Sequence, residues 1–254
     1  MTFSQPYRSA SQSLALHLGS WQGIFRDYDG SSLTLKSQKR SIITFTQPEP
    51  GSIHQSNIYL PMEADPTQPE GSGSSMGWLY RNYAAGLRFF QDGSFSNGRV
   101  QLAPFSDFGL EQGFLYQDQK ARVVLLFDPA GSLTGLTTIL ETRDTLPALN
   151  PPSLTPEHLL GSWHGQATTF DAQDYTPTLA PISLTLTTMP TWTFPGRLWI
   201  EGTRQLPIPT QHRDRSFAIS LGWIPAPGML RQLVRRYDST GAWSSVTLVE
   251  AQLH

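Results

Sequence analysis

Two segments of this chain open with nearly the same six residues. Leu18-Gly-Ser-Trp-Gln-Gly23 recurs as Leu160-Gly-Ser-Trp-His-Gly165, an offset of 142. A second match closes each segment: VVLLFDPAGSLTGLTT at 123–138 aligns with LVRRYDSTGAWSSVTL at 233–248, offset 110, so that Asp128/Asp238, Gly131/Gly241 and Thr137/Thr247 coincide. Between them, Gly113-Phe114 aligns with Gly222-Trp223. Three collinear matches define an internal duplication, and a duplication limits the fold to one that a half-chain can build. The units read as 1–146 and 157–254, joined by a linker at 147–156 in which Pro147, Pro151, Pro152 and Pro156 favour a stiff, extended chain. The first unit is longer, mainly through ADPTQPEGSGSSMG at 64–77, a Pro/Gly/Ser-rich loop.

Each unit reads as strand after a stub of helix. Ser11–Leu18 stops at Gly19. Thr155-Pro156-Glu157 supplies a cap, a first-turn proline and a first-turn acid for a second short helix that stops at Gly161. Runs of β-branched and aromatic residues bounded by Gly, Pro, Asp or Asn then predict strands. In the first unit they lie near 20–28, 40–46, 53–60, 77–83, 86–90, 97–103, 110–117, 121–128 and 132–142. In the second they lie near 162–170, 181–188, 195–203, 216–224, 230–238 and 241–250. Asp29-Gly30, Asp92-Gly93 and the two Asp-x-x-Gly turns act as hairpin connections. The expected fold class is all-β: two tandem antiparallel up-and-down β-barrels, each preceded by a short helix, since closure removes the edge strands of a meander.

A short helix followed by Gly-x-Trp on the first strand, here Gly19-Ser20-Trp21 and Gly161-Ser162-Trp163, resembles the opening of the calycin superfamily, which includes the lipocalins. With IHQSNIY at 53–59, FQDGSF at 90–95 and the Tyr/Phe-Asp-x-x-Gly turn, nearly the whole chain is similar to a lipocalin-like family of cyanobacteria and plastids, and more distantly to lipocalin-fold phycobilin lyases. The resemblance implies barrels with an internal cavity and brings no established activity. It also implies an Arg on the last strand packed over the first-strand Trp. Arg143 is placed to cover Trp21, whereas the last strand of unit 2 offers Glu250 and Gln252 and no Arg. Haem-binding barrels of the nitrobindin type also open with Gly-x-Trp-x-Gly. That likeness implies an axial His, for which His212 is the candidate.

Composition excludes several classes. The net charge is −2, with 18 Lys+Arg against 20 Asp+Glu, so there is no basic platform for nucleic acid. No apolar run is long enough for a membrane span. The N-terminal residues show no hydrophobic signal core, which makes the cytoplasm the expected location. There is no Cys, hence no thiolate chemistry. The six His form no metal-binding pattern, and no metal is expected. Gly-x-Ser-x-Gly and Gly-rich phosphate loops are also absent.

The first expectation is a binding module. Five of the seven Trp fall in unit 2, and indoles give large flat apolar walls. Candidate ligand-contacting residues are Phe25, Trp78 and Tyr80 in unit 1 and Trp199 and Trp223 in unit 2. Arg235 and Arg236 replace Leu125 and Leu126 of the first copy. Consecutive strand residues point to opposite faces, so in a regular strand one of these arginines points inward; the two readings are a solvated strand end from which both snorkel, and a clamp for an anionic head group. The expected function is that of a carrier for a small hydrophobic ligand: a fatty acid or other lipid, a carotenoid or a tetrapyrrole. The alternatives are a barrel-fold enzyme (a pigment-lyase-like isomerase or transferase, or a cyclase) using an acid such as Glu201 or Asp27, and a scaffold for a protein partner.

Overall fold

A computed structural model describes residues 8–49, 51–63, 74–80, 85–202, 204–207 and 214–254. Unit 1 begins with α1 (Ala10–Leu14), where Ser9 and Gln12 form a capping box, and a 3-10 turn at Ala15–His17. Nine strands follow among the described residues: β1 (Gly19–Asp29), β2 (Leu35–Thr46), β3 (Ile53–Leu60), β4 (Ser74–Tyr80), β5 (Arg88–Phe89), β6 (Phe95–Gly98), β7 (Phe108–Tyr116), β8 (Gln119–Phe127) and β9 (Leu133–Arg143). Unit 2 has α2 (Pro156–Leu159), then β10 (Gly161–Asp171), β11 (Thr178–Leu186), β12 (Trp192–Phe194), β13 (Leu198–Glu201), β14 (Phe217–Trp223), β15 (Met229–Tyr237) and β16 (Trp243–Leu253).

Among the described residues all ladders are antiparallel, and these residues are all-β apart from the two helical stubs and the 3-10 turn. The first sheet runs β4-β3-β2-β1-β9-β8-β7-β6-β5, and the second runs β11-β10-β16-β15-β14-β13-β12. In each unit the first strand pairs with the last, which curls a meander toward a cylinder. Among the described residues no ladder joins β4 to β5 or β11 to β12, so each curl has a gap in its hydrogen bonding. Of the expected strand at 195–203 only Leu198–Glu201 is strand, because Gly196 and Arg197, with positive φ, turn the chain there from Trp192–Phe194. Residues 81–83 of the expected fourth strand, most of the loop 64–77, and His212 lie outside the described residues.

The repeated openings are structural twins. Trp21 and Trp163 are both fully buried, and each indole Nε1 donates to the carbonyl four residues back, His17 at 2.7 Å and Leu159 at 2.8 Å. Gly19 and Gly161 have φ of +109° and +139°, a region in which a Cβ is costly. The Arg143 guanidinium lies 4.3 Å from the Trp21 ring centre and donates to the Leu16 and Leu18 carbonyls. In unit 2 the residue paired with the Trp is Leu253, so no cation stands at that ladder position.

The largest core lies between the units. Leu110, Phe114, Val123, Leu125 and Leu136 of unit 1 pack with Leu198, Leu221, Trp223, Leu233 and Val246 of unit 2. Smaller cores fill the concave side of each unit, one around Trp21, Phe25 and Ile139, the other around Trp163, Trp199 and Leu230. Strand alternation explains this division. Along β8, Ala121, Val123, Leu125 and Phe127 face the partner unit, while Lys120, Arg122 and Val124 face inward. The proline-rich segment packs as well: Leu154 joins the unit 2 core, and the Leu149 carbonyl accepts from Arg26 at 2.7 Å.

Candidate functional site: a cavity in the first unit

The inward face of unit 1 encloses a cavity of about 460 Å³. Its apolar wall includes Phe25, Phe45, Phe89, Phe95, Val124 and Ile139. Phe25 meets Tyr59 edge-to-face at 5.3 Å. Trp78 and Tyr80 come from β4, where Trp78 is partly exposed at the rim.

The polar part of the wall is organised in three groups. A chain of hydrogen bonds runs from the Tyr80 hydroxyl to Gln55 (2.9 Å), from Gln55 to Asn57 (2.8 Å) and from Asn57 to Tyr59 (3.0 Å). Period-two spacing on β3 puts Gln55, Asn57 and Tyr59 on one face. Burial raises the Tyr80 phenol pKa, and the Glu111 charge raises it further. Arg122 forms the second group. It binds Glu141 through Nε and Nη2 at 2.8 and 3.1 Å and Glu111 through Nη1 at 2.7 Å. Burial alone would disfavour that guanidinium's charge, but the two carboxylates outweigh it and hold its pKa above the ordinary arginine value. His17, the third group, donates from Nε2 to the Gly93 carbonyl at 2.8 Å beneath Phe45, Phe89 and Phe95. Burial, and after it the charge of Lys120, push the His17 pKa well below its usual value, so the ring is neutral.

Lys120 stands apart from these groups. It is 2% exposed and lines the same cavity. Its Nζ lies 3.7 Å from the Trp21 ring centre and 4.5 Å from that of Phe45. Among the described residues the amine has no hydrogen-bond acceptor and no ion-pair partner within 4 Å. Burial pushes its pKa well below the usual lysine value; Glu141 opposes that, and Arg122 and Arg143 reinforce it.

The structure brings Phe25, Trp78 and Tyr80 together on this cavity and places the other expected contacts elsewhere. Trp199 is buried in the concave core of unit 2. Trp223 lies in the core between units, stacked on Phe114 at 5.9 Å. Arg236 is exposed. Arg235 is fully buried, but between the units rather than in a cavity. Its donors go to the Tyr237 hydroxyl, the Gly86 and Gly98 carbonyls and Ser96 Oγ, which leaves no anion clamp. Of the acids considered for catalysis, Glu201 is exposed, and Asp27 accepts from Ser37 and Thr137 at 2.9 and 2.7 Å. The described residues hold no cluster of three or more metal-ligating side chains. No helix among them is long and apolar enough to cross a membrane.

These features define a class: a duplicated all-β protein of two curled antiparallel meanders, with the first unit hollowed into a small, partly charged cavity. Residues 7–146 match the N-terminal domain of the family described as domain of unknown function DUF3598, and the chain belongs to that family. Residues 196–253 match the C-terminal domain of "biogenesis factor required for ATP synthase 1". The solved structure of a DUF3598 protein of unknown function from Nostoc punctiforme is 25% identical, with a TM-score of 0.75 over 97% of this chain and 100% of that one. An S-type phycobiliprotein lyase, CPES from Guillardia theta, is 14% identical, with a TM-score of 0.38 over 55% of this chain and 95% of that one. No curated protein matches the chain.

Proposed function

We propose that the first unit is a binding site for one small amphipathic molecule and that the protein carries or presents it, acting in the cytoplasm. The observation that carries this reading is the inward face of unit 1. It leaves about 460 Å³ unfilled, within the roughly 300–1,000 Å³ span of small-molecule sites. The aromatic walls suit an apolar body, and the polar wall on one side suits a head group. A fatty acid, a carotenoid fragment or an open-chain tetrapyrrole would meet that description, and fractionation would test the compartment. The dye 1-anilinonaphthalene-8-sulfonate is a suitable first probe. It should bind with enhanced fluorescence and be displaced by the true ligand. Val124→Trp, which fills the cavity from β8, should abolish binding while leaving the far-UV circular dichroism unchanged. Unaltered dye binding by that variant would place the dye elsewhere and overturn the reading.

A second reading draws on the C-terminal match: the protein would assist assembly of a protein complex. Leu179 on β11 and Tyr175 just before it are 56% and 72% exposed, a surface that a partner could cover. Cross-linking in cells should then recover ATP synthase subunits, and recovery of none would remove this reading.

A further inference from the structure

We infer that Lys120 is the anchoring group of the cavity and that it takes its ligand by condensing with an aldehyde or ketone carbonyl to form an imine. The inference rests on the ligand-binding reading of the cavity and names the ligand's reactive class.

The geometry singles out this amine. The chain has only three lysines, Lys36, Lys39 and Lys120. Lys36 and Lys39 lie on β2 with 60% and 42% of their side chains exposed, and each stands within 4 Å of an aspartate, Asp29 and Asp27. Lys120 is buried, lines the cavity and has aromatic faces where its acceptors should be. The two acids facing it are already taken up by Arg122. A buried polar group without a partner is costly. A lysine retained there needs something that the protein alone does not provide, and a buried amine that gives up its proton more readily than an ordinary lysine is the better nucleophile. The charged and titratable groups that face it are Glu141 and Arg143 on β9, Arg122 on its own strand, Glu111 on β7, His17 before β1, Tyr59 on β3 and Tyr80 on β4. Their net effect leaves the amine below its ordinary pKa.

The step balances without a further reactant. The amine nitrogen attacks the carbonyl carbon, a C=N double bond replaces C=O, and the oxygen departs as water with the two amine hydrogens. The reverse reaction, hydrolysis, releases the ligand unchanged.

The test uses trans-cinnamaldehyde, a flat aromatic aldehyde, with sodium cyanoborohydride to reduce the imine to a stable secondary amine. Cinnamyl alcohol and cinnamate serve as non-condensing analogues, followed by tryptophan quenching. At neutral pH the lysine adduct should map to Lys120, at least about tenfold above Lys36 and Lys39, since each unit of pKa lowering raises the free-amine fraction tenfold. The yield at Lys120 should saturate at lower pH than at the other two. Lys120→Arg should lose the adduct, whereas Lys36→Arg should keep it. If the alcohol binds and the aldehyde adds only at Lys36 and Lys39, the inference fails while the binding reading survives. If cinnamate binds far more tightly than the alcohol and no adduct forms at Lys120, the anchor is an ion pair and the inference fails. If neither the analogues nor the anilinonaphthalene dye binds, both fall.

Discussion

Lys120 carries the clearest consequence for stability. An unfolded lysine titrates near 10.4, and the folded one titrates well below that because it is buried. Between those two values the unfolded chain holds the extra proton, so stability rises with pH across the window and is reduced at neutrality. Lys120→Met keeps a flexible apolar stem against Trp21 and Phe45 and removes the ionisable group. It should stabilise the protein at pH 7 by on the order of 1–4 kcal/mol, as other replacements of buried charge do. The gain should shrink as the pH approaches 10. Thermal unfolding at pH 6, 7, 8, 9 and 10 checks both parts, and a variant less stable than the parent at pH 7 would contradict them. The same residues show how far the site could be read in advance. Phe25, Trp78 and Tyr80 were legible as aromatics on strands. The charged group was not, although its signal was present. Lys120 and Arg122 occupy alternate positions on a strand, and Glu111 and Glu141 carry the opposite sign on the strands that flank it. Period-two alternation normally assigns charge to solvent and apolar residues to the core. Here the charged lane of β8 lines the cavity, because the apolar lane is claimed by the second unit.

The repeated elements hold the two halves together by exchanging contacts. Each Asp-x-x-Gly turn is clasped by the other unit. Leu206 N donates to Gly131 O at 2.7 Å and Leu102 N to Gly241 O at 2.8 Å, while Gln205 Nε2 reaches Ala130 O and Gln101 Nε2 reaches Thr240 O. Gln101-Leu102 and Gln205-Leu206 are thus a fourth pair of repeats, invisible as a two-residue match and clear once the turns they grip are known. The turn glycines have φ of +83° and +80°. A Cβ on Gly131 would also lie 2.7 Å from the Leu206 carbonyl oxygen, against 3.1 Å between Gly241 and that of Leu102. Gly131→Ala and Gly241→Ala should therefore each cost about 1–2 kcal/mol for the left-handed backbone, with Gly131→Ala the worse. Urea midpoints measure this, and a silent substitution at either turn would mean that the clasp contributes nothing. The interior glycines were legible only as repeats. Gly222 packs under the Trp199 indole and Gly113 under the Phe95 ring, each glycine paired across the ladder with the aromatic that covers it.

At the level of the whole molecule the duplication behaves like an isologous dimer written into one chain. Phe114 stacks on its own counterpart Trp223, and Phe108 meets its counterpart Phe217 at 5.7 Å. Equivalent positions touch one another only near a two-fold axis. The fold class and the strand order within each unit followed from turns and alternation. The joint between units did not, because a proline-rich connector reads as a spacer when nothing in the sequence says that two outward faces are apolar. Since the largest core takes residues from both halves, unfolding should be a single transition, with equal calorimetric and van't Hoff enthalpies. Trp223→Ala should lower that transition by about 3–5 kcal/mol without splitting it. The sharper test removes one half. Residues 1–146 alone would bare Leu110, Phe114, Val123, Leu125 and Leu136, a face shaped to meet a near-copy of itself. That fragment should elute from a sizing column, with light scattering, at twice its monomer mass, and Phe114→Glu should convert it to a monomer or abolish its folding. A well-folded monomeric fragment with unaltered tryptophan fluorescence would show that the halves are independent domains that merely touch.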